Sequence, residues 1–373
     1  MKTLRNILII LIVGIILGFI NEFLIDRMFW SFFVQSLGAS FWLLNILYCL
    51  IALFLVILVH ELGHLMSFVF QNIRIKGIYV LCFVIIKING KWKFKIFPKF
   101  LSLMGGLVIP DLPPIKNDED YDRIIDVLKK ALIAGPDTSI IYCGVISFLY
   151  IISLLIGNPI FAGIMFYVFV TTLLLTLIVV KASKVSYQGL FGDYIAEREL
   201  GKNERFTLAY LLSAYEYATE EEQSKPYLWK KLIHELGKGL KVRNPFSLHL
   251  LIIYLHTVVF EGEIGCWDIF NQVKNLAPTV SREEAGFILY QYIIYLTHIT
   301  EGLDKALTLL EKQKDMKFKV SENVRFYWEV FTNHALKLVD GSKYLNDPKF
   351  IHSSQNAWIY EPFEIENELP VIK

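Results

Sequence analysis

The stretch Phe54-Leu55-Val56-Ile57-Leu58-Val59-His60-Glu61-Leu62-Gly63-His64-Leu65-Met66 sets two histidines and a glutamate inside an otherwise apolar run. The apolar segment around it, Phe41 to Phe70, exceeds the ~20 residues that a helix needs to cross a bilayer. Residues four apart on a helix share a face, so His60 and His64 project together. Two imidazoles at that spacing can hold one Zn²⁺ ion. Glu61 beside them is placed to take a proton from the water that zinc activates. HExxH is short enough to arise by accident in soluble helices. Here it interrupts a lipid-compatible helix, where a charged side chain at mid-bilayer costs about 2.5 kcal/mol or more and needs a functional reason.

Composition agrees with a membrane setting. Of 373 residues, 54% are hydrophobic and 20% charged, the net charge is +1, and the mean hydropathy is +0.46. Soluble domains carry about 45–50% apolar and roughly 25% charged residues. Disorder is excluded, because it needs low hydrophobicity and high net charge. Nucleic-acid binding is disfavoured, because no basic excess exists to neutralise phosphates. Cys49, Cys82, Cys143 and Cys266 lack CxxC spacing and form neither a disulfide framework nor a cysteine zinc site.

Working outward, four apolar spans are expected: Leu4–Leu24, Phe41–Phe70, Ala131–Ile156 and Pro159–Val180. The first follows Lys2 and Arg5 without a nearby small-residue cleavage site, which reads as an uncleaved anchor. Gly157-Asn158-Pro159 makes a tight turn between the last two. Arg74, Lys76, Lys87, Lys91, Lys93, Lys95 and Lys99 lie between spans two and three, and Lys181 and Lys184 follow span four. The other loops are poor in Lys and Arg, so the positive-inside rule puts both termini in the cytoplasm of a multi-pass cell-membrane protein.

Ile73–Phe97, with Asn89-Gly90 between runs rich in Ile, Val and aromatics, reads as a hairpin. Bare strand edges cannot face lipid, which places the hairpin at the interface or under protein cover. Asn117–Lys130 reads as a charged, helix-compatible linker. From about Gly201 charges become frequent, and apolar residues recur at helical spacing in Phe206–Tyr217, Leu248–Phe260, Phe287–Leu296 and Val324–Leu338. Gly302–Glu311 is faintly similar to a tetratricopeptide helix, but no fixed repeat period is found. The expected fold is therefore mainly α. It comprises a polytopic membrane helix bundle of about four spans with an interfacial β-hairpin, followed by a soluble all-helical C-terminal domain. Its expected divisions are an anchor span and extracytoplasmic loop (1–40), an intramembrane metalloprotease core (41–200) and a cytosolic helical domain (201–373).

His234-Glu235-Leu236-Gly237-Lys238 repeats the motif except at its last position. A lysine cation cannot replace a neutral imidazole on zinc, and the segment reads as a solvated helix face. His249, His256, His298, His334 and His352 have no ligand spacing and read as surface or satisfied core residues.

An HExxH in a membrane span, a basic hairpin, a Gly-Pro at a span entrance and a late Asp together resemble the site-2 protease family of intramembrane zinc metalloproteases. The resemblance covers roughly Phe41 to Arg198. His60, Glu61 and His64 match the first motif, Ala134-Gly135-Pro136 resembles the Gly-Pro motif, and Gly192-Asp193 stands where the family has Asp-Gly. It implies zinc as cofactor, His60, His64 and Asp193 as ligands, and Glu61 as catalytic base. Three departures stand out: Tyr194 follows Asp193, Ser139 stands where an Asn is common, and the Asn-x-x-Pro run before the Asp is absent. Asp137, directly after Pro136, is a rival third ligand, and Glu197 is placed to share the helical face of Asp193. A catalytic zinc needs three protein ligands and one open position.

The resemblance implies hydrolysis of peptide bonds in membrane-embedded or membrane-associated substrates, for regulator release or small-peptide maturation. A transmembrane substrate must unwind or be presented as a strand, since its carbonyls are internally bonded. The partners expected are a membrane-anchored protein or peptide substrate, the lipid bilayer and a protein docking on the C-terminal helices, with no nucleic acid. The alternative is a catalytically inactive relative acting as a membrane adaptor through those helices.

Overall fold

The computed structural model describes residues 42–88, 90–98, 105–187, 190–215, 218, 221–260 and 264–345. The expected first span, Leu4–Leu24, lies outside these residues, as does Asn89 of the expected turn. The chain divides into two compact units, 1–63 with 134–183 and 64–133 with 184–373. Two helices, α1 (Trp42–Phe70) and α2 (Asp118–Ile156), run unbroken through that division.

In the first unit, α1 up to Gly63 and α2 from Ala134 are joined by α3 (Pro159–Ala182). These are three helices long and apolar enough to cross a membrane. Their outer faces carry exposed Leu43, Ile46, Leu50, Ile141, Phe148, Leu155, Leu174 and Ile178. Exposed apolar faces of this extent mark a surface that meets lipid or other protein. The expected turn is present. Gly157 takes a positive φ of 71°, and the Asn158 side chain accepts from the Ile160 and Phe161 N–H groups at 3.1 Å. Pro159 then opens α3, where its missing N–H does no harm.

The charged linker and third span are one 39-residue helix, α2. Nothing between Asn117 and Pro136 breaks a helix. Asn117 Oδ1 accepts from Asp120 N, and Asp118, Glu119 and Asp120 in the first turn complement the helix dipole. Pro136 lies within α2 and removes one backbone donor. Just after it, the Thr138 and Ser139 hydroxyls donate to the Ala134 and Gly135 carbonyls four residues back, a bond that Ser and Thr commonly make within helices.

In the second unit the expected hairpin is part of a larger antiparallel sheet. Strands β1 (Arg74–Val80), β2 (Phe83–Ile88), β3 (Lys91–Ile96) and β4 (Gly106–Asp111) pair in the order β3-β2-β1-β4. The β1–β2 turn at Leu81-Cys82 puts Leu81 at a φ of +53°. It carries none of the Gly, Asn or Pro signals that mark a turn in sequence. Pro110 in β4 is tolerated because β4 is an edge strand. On the other edge, Trp92, Phe94 and Ile96 share one exposed face, while Lys91, Lys93 and Lys95 occupy the opposite face.

A short antiparallel pair, β5 (Ser186–Tyr187) with β6 (Leu190–Phe191), leads into the helical region. Its helices are α4 (Asp193–Glu199), α5 (Glu204–Tyr215), α6 (Glu221–Gly237), α7 (Pro245–Phe260), α8 (Trp267–Lys274), α9 (Glu284–Glu301), α10 (Leu303–Asp315), α11 (Glu322–Ala335) and α12 (Ser342–Leu345). The expected apolar runs fall on α5, α7, α9 and α11. Phe287, Leu289, Tyr292, Ile293, Ile294 and Leu296 of α9 are all buried, which makes α9 the central helix of this region. The base of α2 is tied to α5 and α6. Tyr121 OH donates to Glu204 at 3.0 Å, and Lys231 lies 4.3 Å from the Tyr121 ring centre and 3.1 Å from Asp118.

His234-Glu235 departs from the expected solvated face. His234 is exposed, but Glu235 is 5% exposed. Its carboxylate pairs with Arg205 at 3.9 Å and with Lys238. Arg205 also donates to Ser247 Oγ, Glu235 O and Gly239 O. A buried carboxylate persists only when neutralised and hydrogen-bonded, and this one holds α5, α6 and α7 together.

Candidate metal centre

His60, Glu61 and His64 sit late on α1, and Asp193 opens α4. The histidines are held by their Nδ1 atoms. His64 Nδ1 lies 2.7 Å from the Ala131 carbonyl. A carbonyl only accepts, so we assign the proton to Nδ1, which leaves the Nε2 lone pair as the metal donor. His60 Nδ1 lies 3.1 Å from Ser139 Oγ. The Ser139 hydroxyl donates to the Gly135 carbonyl, so its oxygen accepts from His60 and sets the same tautomer. Both imidazoles thus have the outer hydrogen bond that metal-ligating histidines almost always make.

Gly63 is required for this arrangement. A Cβ there would lie 2.5 Å from Ala134 O and 2.7 Å from Thr138 Oγ1. The bare Cα lets α1 approach α2 closely enough for the backbone and hydroxyls of α2 to reach the histidines.

His64 Nε2 stands 3.9 Å from Asp193 Oδ2. The donor atoms of His60, His64 and Asp193 all lie within 4.8 Å of one another. Two neutral imidazoles and a carboxylate suit Zn²⁺, which binds such atoms at about 2.0–2.2 Å and in catalytic sites keeps a fourth position for water. The set fits the ion with a modest contraction. Glu61 is 5% exposed on the same helix, next in sequence to His60.

Asp137 is exposed and Glu197 half-buried. Neither joins the donor group, nor do His249, His256, His298 or His334 among the described residues. His249 lies 3.3 Å from Ser213 Oγ. His298 departs from a satisfied core residue, since its buried Nδ1 lacks a hydrogen-bond partner. One aromatic neighbour of the centre went unread in the sequence. Burial, and then the charge of Asp193, push the Tyr210 phenol up to about 12, so it stays protonated.

Two histidines on an apolar helix of membrane length, with Asp193 from α4 beside them, define the class, a membrane-spanning chain with a donor group that could hold a metal ion. The family model of peptidase family M50 matches residues 48–341. The chain belongs to that family, the site-2 protease family of metallopeptidases. No curated protein and no solved structure matches the chain.

Proposed function

We propose that this chain is an active intramembrane zinc metalloprotease that cleaves membrane-embedded or membrane-associated proteins or peptides. The observation that carries the reading is the approach of the His60, His64 and Asp193 donors to within 4.8 Å in a chain of an HExxH peptidase family. His60, His64 and Asp193 would hold the ion. Zinc in such a site polarises a carbonyl and lowers the pKa of bound water to about 7. Glu61 takes the proton of the attacking water on its carboxylate and passes it to the leaving amine nitrogen. Ser139 and the Ala131 carbonyl keep each imidazole in the tautomer that offers Nε2. Burial of Glu61 keeps bulk water from competing for it.

The substrate is a membrane-anchored protein or a small precursor peptide. It must expose its backbone as a strand, and β3, the outer strand of the described sheet, is the side on which a further strand would add. The protein resides in the cell membrane as a multi-pass chain with both termini cytoplasmic, as the lysines between α1 and α2 and after α3 suggest. The C-terminal helices then face the cytoplasm and are open to a protein partner.

The test compares host membranes carrying wild type or Glu61→Gln by sequencing newly formed peptide termini. New termini within or beside transmembrane segments, present with wild type and absent with Glu61→Gln, support the protease. Identical termini with both, together with an intact cellular phenotype for Glu61→Gln, support the adaptor reading.

A further inference from the structure

Asp193 needs more anchoring than its own short helix supplies. α4 has seven residues and starts at Gly192 without a side-chain cap. A helix this short has little stability of its own. Its anchors lie on either side. Upstream, the Phe191 ring centre is 4.7 Å from Phe206 and 5.1 Å from Phe246, and those two are 5.1 Å from each other. The three rings close into a cluster of tilted and edge-on contacts, the favoured aromatic geometry. Downstream, Ala196 and Leu200 are buried in the core of the helical region, and Gly201 N donates to Thr207 Oγ1 at 2.8 Å. The ligand candidate thus rides between two anchors packed against the helical core, and α5 contributes to both.

α5 also grips the helix that orients His64. Glu204 accepts from Tyr121 on α2 at 3.0 Å, and α2 carries the Ala131 carbonyl bonded to His64. One helix therefore holds the Asp193 segment and the base of the helix behind His64.

We propose that the Phe191–Phe206–Phe246 cluster is a positioning device that holds Asp193 against His64, so that the C-terminal helical region is a working part of the metal centre. The proposal rests on the zinc-site reading above. Phe191, Phe206 and Phe246 are positioning residues, acting through Asp193.

The experiment uses the full-length chain in mild detergent. Zinc affinity is read by competition with a chromophoric chelator, and site geometry by the visible absorption of the Co²⁺-substituted protein. Phe191→Ala is expected to weaken zinc roughly 10–100-fold, as loss of an outer-shell support does, and to shift the cobalt bands. Phe191→Leu restores most of the affinity. Phe331→Leu, in the aromatic core of α9 and α11, lowers the unfolding temperature but keeps wild-type zinc affinity and cobalt bands. Wild-type affinity in Phe191→Ala overturns the proposal, and so does a Phe331→Leu loss as large as that of Phe191→Ala. Absence of zinc binding in the wild type overturns the metal-site reading instead. A loss with Asp193→Ala but not with Phe191→Ala overturns the positioning role alone.

Discussion

The tetrapeptide His-Glu-Leu-Gly occurs twice in this chain, at residues 60–63 and 234–237, and the two copies have different fates. Both glutamates are equally buried. In the second copy Arg205 and Lys238 neutralise Glu235, His234 is exposed, and the next residue is a lysine. In the first copy the next residue is His64, and both imidazoles are aimed by α2. The glycines diverge most. Gly63 meets α2 at 2.5 Å from a would-be Cβ, whereas a methyl on Gly237 meets nothing within 4 Å. Four shared residues therefore define no site. The fifth residue and the neighbouring helix do.

The sharpest way to break this comparison is to exchange the acid for its amide in each copy. Glu61→Gln is expected to lower proteolysis by about 10²–10⁴, the range for a general base, with zinc retained. Glu235→Gln leaves turnover unchanged. Equal losses in cleavage assays would end the distinction.

The glycines give the next largest effect, now on stability. Gly63→Ala forces a methyl into the Ala134 carbonyl and Thr138, an overpacking that costs about 1–3 kcal/mol. Gly237→Ala is neutral or stabilising by up to ~1 kcal/mol. Thermal unfolding in detergent reads both.

A smaller effect follows from the ion pair of the second copy. Glu235→Gln is expected to lower the stability of the helical region by about 1–2 kcal/mol. Arg205 keeps three other acceptors, so the loss stays below that of an abandoned buried charge. Denaturant unfolding followed by tryptophan fluorescence measures it.

The smallest effect comes from an exposed carboxylate far from either copy. Hydrogen bonds from Lys274 and Lys305 hold Glu301 down at about 2. A depressed folded-state pKa stabilises above the ordinary carboxylate range and loses that contribution as pH falls. The small difference in stability between wild type and Glu301→Gln should therefore fade between about pH 5 and pH 2 in acid titrations of unfolding. A difference that grows on acidification would contradict the pairing.

The pairing of His60 with His64 was legible because their spacing is local to one helix. The Gly157-Asn158-Pro159 turn was equally plain, since each residue has one strong conformational role. What went unread depends on partners distant in sequence. Ser139 stood out as a departure from the family, yet it orients His60. Phe191 is an ordinary aromatic until α5 and α7 close around it. The Leu81-Cys82 turn and β4 escaped because strand pairing, and not turn residues, fixes their backbone. α2 looked like two segments because its composition changes at Ala131, but a change of solvent does not end a helix. Glu235 looked solvated because Arg205, thirty residues away, gives no local sign of its approach.

The central claim is tested most directly by zinc content per chain in full-length wild type, His64→Ala and His234→Ala purified in mild detergent. Near-stoichiometric zinc in wild type and His234→Ala, with nearly none in His64→Ala, is the expected result. Zinc retained by His64→Ala, or absent from the wild type after zinc is supplied, would contradict a metal centre built on the first copy.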